Sequence, residues 1–162
     1  GIMKPKEAVT LTLKGISELI PLALLMLLAF AIGDACKELE TGTYVANATK
    51  EWLSPELLPA VVFTISSFIA FSTGTSWGTF AIMMAISIPM ANIHGADLTI
   101  VVAATLGGGI FGDHCSPISD TSIISSMASA SDHIDHVKTQ LPYALIGGVI
   151  TTILYLIIGF LG

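Results

Sequence analysis

The stretch from Leu106 to Ser126 constrains the fold of this chain most, because it places charged residues inside apolar sequence. It reads L-G-G-G-I-F-G-D-H-C-S-P-I-S-D-T-S-I-I-S-S and contains two carboxylates, Asp113 and Asp120. Irregular backbone at membrane depth persists only against protein or a watery cavity, since lipid offers no hydrogen bonds. Ionisable residues at that depth are candidates for function. We therefore predict that this motif forms a substrate or ion site.

The composition of the whole chain places this motif in a membrane protein. Of its 162 residues, 53% are hydrophobic and only 11% are charged, whereas a soluble domain carries about 25% charged residues. We predict an all-α, polytopic integral membrane protein with broken or re-entrant helices in a lipid bilayer. The net charge of −6 without a basic cluster excludes nucleic acid as a partner. Neither end resembles a natural terminus, so we interpret residues 1–162 as one domain of a longer protein.

Long apolar runs predict the membrane-crossing segments. Gly15–Gly33 and Pro142–Leu161 are each long enough to span the hydrocarbon. Lysines before the first span and the acidic connection Asp34–Glu56 after it place the N-terminus on the cytoplasmic side by the positive-inside rule.

The run Leu57–Met90 is too long for a single crossing. As one helix its 34 residues would measure roughly 50 Å, against a hydrocarbon core of about 30 Å. Residues 71–79, F-S-T-G-T-S-W-G-T, interrupt it near the middle. We predict two half-length helices that meet at this tip, as in a re-entrant hairpin or a broken helix. One strongly tilted helix is the alternative.

The rest of the chain shows the same pattern, in which a break separates two helix-compatible segments. Ala91–Asp97 reads as a short turn and Leu98–Phe111 as a half-span, followed by an unwound break over residues 112–121. Ile118–Ala130 resumes helix-compatible sequence, and 131–141 is polar and interfacial. A pair of interrupted apolar segments is typical of the midplane site of a transporter.

The two breaks share an inventory of oxygen ligands. Such ligands suit a hard cation such as Na⁺, whereas Zn²⁺ and copper favour sulfur and nitrogen, so we expect no other metal and no cofactor. A bound cation lowers the pKa of a carboxylate and burial raises it, so Na⁺ and H⁺ can compete for one oxygen pair. The candidate ligands are Asp113, Asp120, Ser116, Ser119 and Thr121, with Ser72, Thr73, Thr75, Ser76 and Thr79 from the first break.

Simpler interpretations of these residues remain open. Asp120 is a candidate N-cap for the following helix, and Asp113 a candidate cap at a helix end. His114 is either a hydrogen-bonded partner of Asp113 or a proton carrier. The hydroxyls of residues 72–79 also suit plain helix packing. The pair His133 and His136 fits a metal or pH role, or an interfacial polar turn.

Three stretches carry a resemblance to a known family: residues 71–84, F-S-T-G-T-S-W-G-T-F-A-I-M-M; residues 108–126, which contain G-D-H-C-S-P-I-S-D-T; and residues 132–144, D-H-I-D-H-V-K-T-Q-L-P-Y-A. In these the chain resembles the NhaC family of sodium/proton antiporters, within the ion-transporter superfamily. Ala85 departs from the pattern, where proline is expected, which leaves the bend of the second half-helix in doubt.

The resemblance implies the C-terminal part of a multi-span antiporter with an inverted repeat. Re-entrant hairpins and broken helices would form its ion site. The residues that it would place around that site are Asp113, Ser116, Ser119, Asp120 and Thr121, with Thr73, Thr75 and Ser76.

Three functional hypotheses follow. The first is Na⁺/H⁺ antiport in the plasma membrane, with Asp113 and Asp120 alternating between Na⁺ and H⁺ and the N-terminal part of the same transporter as partner. The second is Na⁺-coupled exchange or uptake of a small organic acid or amino acid, of the malate or lactate type, at residues 72–79. The third is a non-transporting structural subunit. None is an enzyme, and association into a homodimer is left open.

Overall fold

The computed structural model describes residues 4–161, without the side chains of Glu18, Pro21, Leu22 and Leu25. All regular secondary structure in this range is helical, which confirms the all-α prediction. Three of the described helices, Ser76–His94, Leu98–Cys115 and His133–Leu161, are long and apolar enough to cross a membrane. The helices are α1 (Pro5–Glu38), α2 (Thr41–Thr49), α3 (Leu58–Thr73), α4 (Ser76–His94), α5 (Leu98–Cys115), α6 (Asp120–Ala128) and α7 (His133–Leu161).

The first predicted break is confirmed. Helix α3 ends at Thr73 and α4 begins at Ser76, so the single tilted helix is wrong. Gly74 has φ +68°, in the left-handed region that favours glycine, and this residue turns the chain. The expected half-length helices are also wrong, because 16 and 19 residues measure about 24 and 28 Å.

The second break is shorter than predicted. Helix α5 continues to Cys115 and α6 starts at Asp120, so only residues 116–119 are non-helical, rather than 112–121. The expected half-span Leu98–Phe111 is therefore wrong as well. The glycines before Asp113 do not unwind the helix, because their missing side chains serve helix packing.

The polar connections are more helical than the sequence indicated. The predicted loop Asp34–Glu56 contains the end of α1 and all of α2. Residues 133–141 are the first turns of α7 rather than a separate segment. Asp132 explains this start, since its Oδ1 accepts from the backbone N–H groups of Ile134 at 2.9 Å and Asp135 at 3.0 Å.

Helices α3 and α5 run parallel and make the closest helix pair. A Cβ at Gly108 would overlap the carbonyl oxygen of Phe63, and one at Gly112 would overlap that of Ser67. Both partners advance in the same direction along the chain, so the helices are parallel. Small residues allow such backbone-to-backbone approach between membrane helices.

Helices α4 and α7 run antiparallel to this pair. Thr105 Oγ1 donates to Ser87 Oγ at 3.0 Å, while Gly109, further along α5, meets the ring of Phe80, earlier on α4. On another side of α5, a Cβ at Gly148 of α7 would overlap the ring of Phe111. Helices α3 and α4 are therefore an antiparallel hairpin, which is the geometry predicted for a re-entrant element.

Aromatic rings fill the space between α3, α5 and α7. The ring centroids of Phe63 and Phe111 are 5.8 Å apart, and those of Phe63 and Tyr155 are 5.4 Å apart. Both separations lie in the range at which aromatic pairs stabilise a core. Leu58, Val62 and the other apolar residues of the same cluster are almost fully buried. The same cluster includes Met83 and Met90 of α4, so the core extends across both sides of α5.

His94 at the end of α4 attaches α2 to the bundle. Its Nδ1 lies 3.0 Å from the carbonyl oxygen of Leu53, while Nε2 lies 3.1 Å from both Ala46 O and Thr49 Oγ1. A histidine also suits this position because a helix C-terminus is the negative end of its dipole. These contacts explain why a polar, threonine-rich segment forms a docked helix.

We expect His94→Ala to lower the melting temperature of the purified protein in detergent. The substitution removes the contacts of the ring with Leu53 O, Ala46 O and Thr49 Oγ1. A neutral imidazole donates one N–H, and one hydrogen bond is worth about 1 kcal/mol net. Asn92→Ala is the matched control, because Asn92 is exposed on the same turn of α4. Equal melting temperatures for the two variants would contradict the role of His94.

Candidate cation site

The two breaks lie against each other. A Cβ on Gly74 would stand 2.7 Å from the carbonyl oxygen of Ile118, so the tip of the α3–α4 hairpin contacts the loop between α5 and α6. Because α3 and α5 are parallel, both helices end at this point. Two C-termini, each carrying about half a negative charge, therefore converge there. The arrangement favours a cation beside them.

Asp113 is the buried carboxylate of this region. It is 5% exposed and lies in the last turn of α5. Its Oδ2 accepts from Thr121 Oγ1 at 3.1 Å, whereas its Oδ1 is buried without a hydrogen-bond partner among the described residues. A buried charged group without a partner is costly. A bound cation or a proton at Oδ1 would remove that cost.

Ser116 and Ser119 border the same break and are fully buried. Ser116 Oγ accepts from the N–H of Ile118 at 3.3 Å, and Ser119 Oγ lies 2.8 Å from Thr121 Oγ1. A chain of hydroxyls thus runs from Asp113 through Thr121 to Ser119. These three belong to the predicted set, and the fold brings them together.

Asp120 has a different environment from Asp113. The N-cap of α6 is Ser119, whose side chain accepts from the N–H of Ser122, so the interpretation of Asp120 as N-cap is wrong by one residue. Asp120 is the first residue of α6 and is exposed. Its charge is favourable there because the N-terminus of a helix is the positive end of the dipole.

Neither the capping interpretation of Asp113 nor its predicted pairing with His114 matches these contacts. The side chain of Asp113 bonds Thr121, and only its main-chain carbonyl closes the helix, by accepting from the N–H of Ser116 at 3.0 Å. The side chain of His114 is exposed. Its carbonyl oxygen accepts from Gln140 Nε2 at 3.3 Å.

At the first break, the predicted hydroxyls bond to their own chain. Thr73 Oγ1 donates to Ile69 O at 2.9 Å, and Thr79 Oγ1 donates to Thr75 O at 2.9 Å. Thr75 is the N-cap of α4 but makes no side-chain cap, which leaves first-turn N–H groups uncapped by that side chain. Ser76 is half-buried at the start of the helix.

A cavity of about 350 Å³ adjoins the first break. It lies between α1 and the ends of α3 and α4 and is mainly apolar. Three hydroxyl-bearing residues contribute to its wall: Thr73, Thr75 and Thr79. The space exceeds what a single Na⁺ ion requires.

The face of α5 that carries Asp113 points toward α4. Thr105, Gly109 and Asp113 are each four residues apart and therefore share one face of the helix. Thr105 meets Ser87 and Gly109 meets Phe80, so the contacts move toward the beginning of α4 as α5 advances. Continued by one turn, this face reaches the first turn of α4. Among the hydrogen bonds of residues 4–161, however, the side chain of Asp113 meets Thr121, and Thr73, Thr75 and Thr79 line the cavity beside α1 instead.

Two residues of α7 contact the second break: His133, which the sequence indicated only for a metal or pH role or a polar turn, and Gln140, which was missed. His133 Nε2 lies 2.7 Å from the carbonyl oxygen of Pro117, and Gln140 bonds the carbonyl of His114 as described above. The metal interpretation of His133 and His136 finds no support, since no group of three metal-ligating side chains occurs among the described residues. The run D-H-I-D-H was the only sequence signal here, and it did not indicate a contact across the fold.

Two adjoining breaks in apolar helices with a buried carboxylate are features that secondary transporters combine at their ion sites. The sequence profile of the Na⁺/H⁺ antiporter family matches residues 1–160. The chain belongs to this family.

Individual relatives agree with this assignment. The chain is 39% identical over 147 residues, 90% of its length, to an uncharacterized protein of Haemophilus influenzae. It is 34% identical over 111 residues, 68% of its length, to the malate-2H⁺/Na⁺-lactate antiporter of Bacillus subtilis. Identity to the Na⁺/H⁺ antiporter NhaC of Alkalihalophilus pseudofirmus is 31% over 107 residues, 66% of the chain.

The aligned region covers 28%, 24% and 23% of these three relatives, respectively. The chain thus spans only about a quarter of the length of the curated relatives that it matches. No solved structure matches it significantly.

Proposed function

We propose that the chain is the C-terminal portion of a multi-pass plasma-membrane antiporter that exchanges Na⁺ for H⁺, and that Asp113 binds the exchanged cation. The observation that carries this proposal is the unpartnered Oδ1 of a carboxylate that is only 5% exposed. The family membership and the NhaC relative support the same ion pair. The antiport requires no resident cofactor, because the carboxylate itself takes up either ion.

The surrounding oxygens suit a partly dehydrated Na⁺. Ser116 and Ser119 are buried beside Asp113, and hydroxyl and carbonyl oxygens are ligands that hard cations accept. The converging C-termini of α3 and α5 add negative potential at the same place. Thr73, Thr75 and Ser76 complete the proposed site from the hairpin side.

Competition between the two ions supplies the coupling. Na⁺ and H⁺ would bind the same atom, Oδ1 of Asp113, so that each ion displaces the other. Asp113 then carries either Na⁺ or H⁺ but not both, which is sufficient for exchange. The direction of transport follows the two gradients.

The test is exchange by the full-length protein in proteoliposomes. An outward Na⁺ gradient should drive H⁺ inward, followed with a trapped pH-sensitive dye, and an equal K⁺ gradient should give a much smaller signal. Absence of any Na⁺-dependent proton movement would refute the proposal.

A second candidate is Na⁺-coupled exchange of a small organic acid. The cavity of about 350 Å³ beside the first break favours it, because such a volume holds a molecule of the size of lactate or malate with room to spare. The Bacillus relative is named for these two acids. Uptake of labelled malate, lactate or amino acids discriminates, since pure cation exchange transports none of them.

We expect Asp120→Asn to reduce exchange only modestly. Asp120 is exposed at the start of α6, so its charge attracts cations through solvent, where screening limits each pair to about 1 kcal/mol or less. The apparent Na⁺ affinity should fall by about five-fold or less, and more steeply at low salt. Complete loss of exchange in this variant would instead show that the two carboxylates alternate as ion carriers.

A further inference from the structure

Helix α7 holds the second break through two side-chain donors. The Nε2 atom of His133 lies 2.7 Å from Pro117 O, and that of Gln140 lies 3.3 Å from His114 O. The two donors are seven residues apart and so lie on one face of α7. Their two acceptors are the carbonyl groups on either side of residues 115–116, where α5 ends and the break begins.

The bond from His133 is short and its direction is fixed. A carbonyl oxygen only accepts, so the Nε2 of His133 carries the proton and donates it. The other ring nitrogen, Nδ1, lies 3.2 Å from Ser126 Oγ on α6, which orients the ring. His133 thus joins α7, the break and α6 in one network.

The contact between His133 and Pro117 affects the geometry of the second break. Proline has no N–H group, so the Ser116–Pro117 peptide lacks a donor. The next peptide, whose carbonyl His133 contacts, donates its Ile118 N–H to Ser116 Oγ at 3.3 Å. Ser116 and Ser119, its neighbours on either side, are fully buried. Rotation of the Pro117 peptide would move both hydroxyls relative to Asp113.

We propose that His133 and Gln140 are positioning residues for the cation site. They hold the backbone at each side of Ser116, so that Ser116 and Ser119 stand ready around Asp113 before the ion arrives. Such preorganisation improves apparent affinity because the loop loses less freedom on binding. The inference rests on the proposed function of the Asp113 site.

The experiment uses the full-length protein with Cys115 as its single cysteine. Cys115 is 4% exposed and directly precedes Ser116, so its rate of alkylation in the membrane reports the order of the break without any transport. The second measurement is the Na⁺ concentration that gives half-maximal exchange. The variants are His133→Ala, His133→Gln and His136→Ala.

We expect His133→Ala to raise the half-maximal Na⁺ concentration about five-fold, the equivalent of one hydrogen bond, and to speed alkylation of Cys115. His133→Gln restores an N–H donor near the position of Nε2 and should bring both values back toward wild type. His136→Ala is the control, since this ring, one turn further along α7, takes part in none of the hydrogen bonds found in residues 4–161.

Unchanged affinity together with unchanged alkylation in His133→Ala would overturn the proposal. A loss of maximal rate alone, at constant Na⁺ affinity, would also overturn it, because that result describes a merely structural histidine. If the protein exchanges no Na⁺ but His133→Ala still speeds the alkylation of Cys115, the proposed antiport is refuted, while the ordering of the break by His133 is supported. Should His133→Ala not reach the membrane, Gln140→Ala removes the other donor and tests the same inference.

Discussion

Asp113→Asn should reduce Na⁺-driven proton movement by the full-length protein to the level of protein-free vesicles. The substitution keeps the size of the side chain and an acceptor for Thr121, which now bonds Oδ2 at 3.1 Å. It removes the charge that would bind Na⁺ and the atom that would bind H⁺. Loss of one partner from a buried charged pair costs about 3 kcal/mol or more, which is roughly 100-fold in affinity.

The control for this variant is Asp34→Asn. Asp34 is an exposed carboxylate of α1 with a 3.4 Å ion pair to Lys37, so its loss changes the total charge equally but leaves the site intact. Asp113→Glu adds a further comparison, because it keeps the charge but lengthens the side chain by one methylene. It should retain exchange at reduced Na⁺ affinity. Normal exchange by Asp113→Asn would show that the ion binds elsewhere.

Gly112→Ala should cause a large loss of folded protein. The added Cβ would overlap the backbone carbonyl of Ser67 and lie 2.9 Å from the Cβ of Ala70. Backbone cannot rotate away as a side chain can, so α3 and α5 would have to separate. Overpacking of this kind costs about 1–3 kcal/mol or more.

Two other glycines provide a graded comparison for this result. Gly147 has no atom within 4 Å of its Cβ position, so Gly147→Ala should be neutral or stabilising by about 1 kcal/mol from helix propensity. Gly109→Ala meets only the ring of Phe80, which can shift, and should be intermediate. Fluorescence-detected size exclusion and melting temperatures measure the order. Equal stability for the Gly112 and Gly147 variants would contradict the close contact between α3 and α5.

The positions of the breaks were predictable, but their extents were not. The run Leu57–Met90 exceeds any single crossing, and Gly74 is the residue in it best suited to a left-handed turn, so a break there follows from length and composition. The glycines of residues 107–112 led to a predicted second break that was too long. They look like helix breakers, yet Gly108 and Gly112 meet α3, and only the tertiary structure reveals why they are glycine.

The site was predictable in part for the same reason. Local chemistry indicated Asp113, Ser116, Ser119 and Thr121, which the fold groups together. It could not separate the buried Asp113 from the exposed Asp120, because that difference depends on the rotation of two helices.

Two contacts join residues that are distant in sequence: His94 with α2, and α7 with the second break. The hydrogen bonds of His94 reach back 41 to 48 residues along the chain. No periodicity or spacing in a single sequence indicates such pairs. They become visible only when the helices have been placed.

The glycine contact between α3 and α5 also has a mechanical consequence. Helices that interlock through side chains can slide by exchanging rotamers, but here carbonyl groups of α3 fill the places where α5 lacks side chains. A screw motion of α5 by one residue, about 1.5 Å along its axis and about 100° around it, would bring the side chain of Phe111 or Asp113 onto the backbone of α3. The hairpin tip and the second break, which follow the ends of α3 and α5, are therefore mechanically coupled. Any motion that exposes the site to either side of the membrane has to carry both of them together.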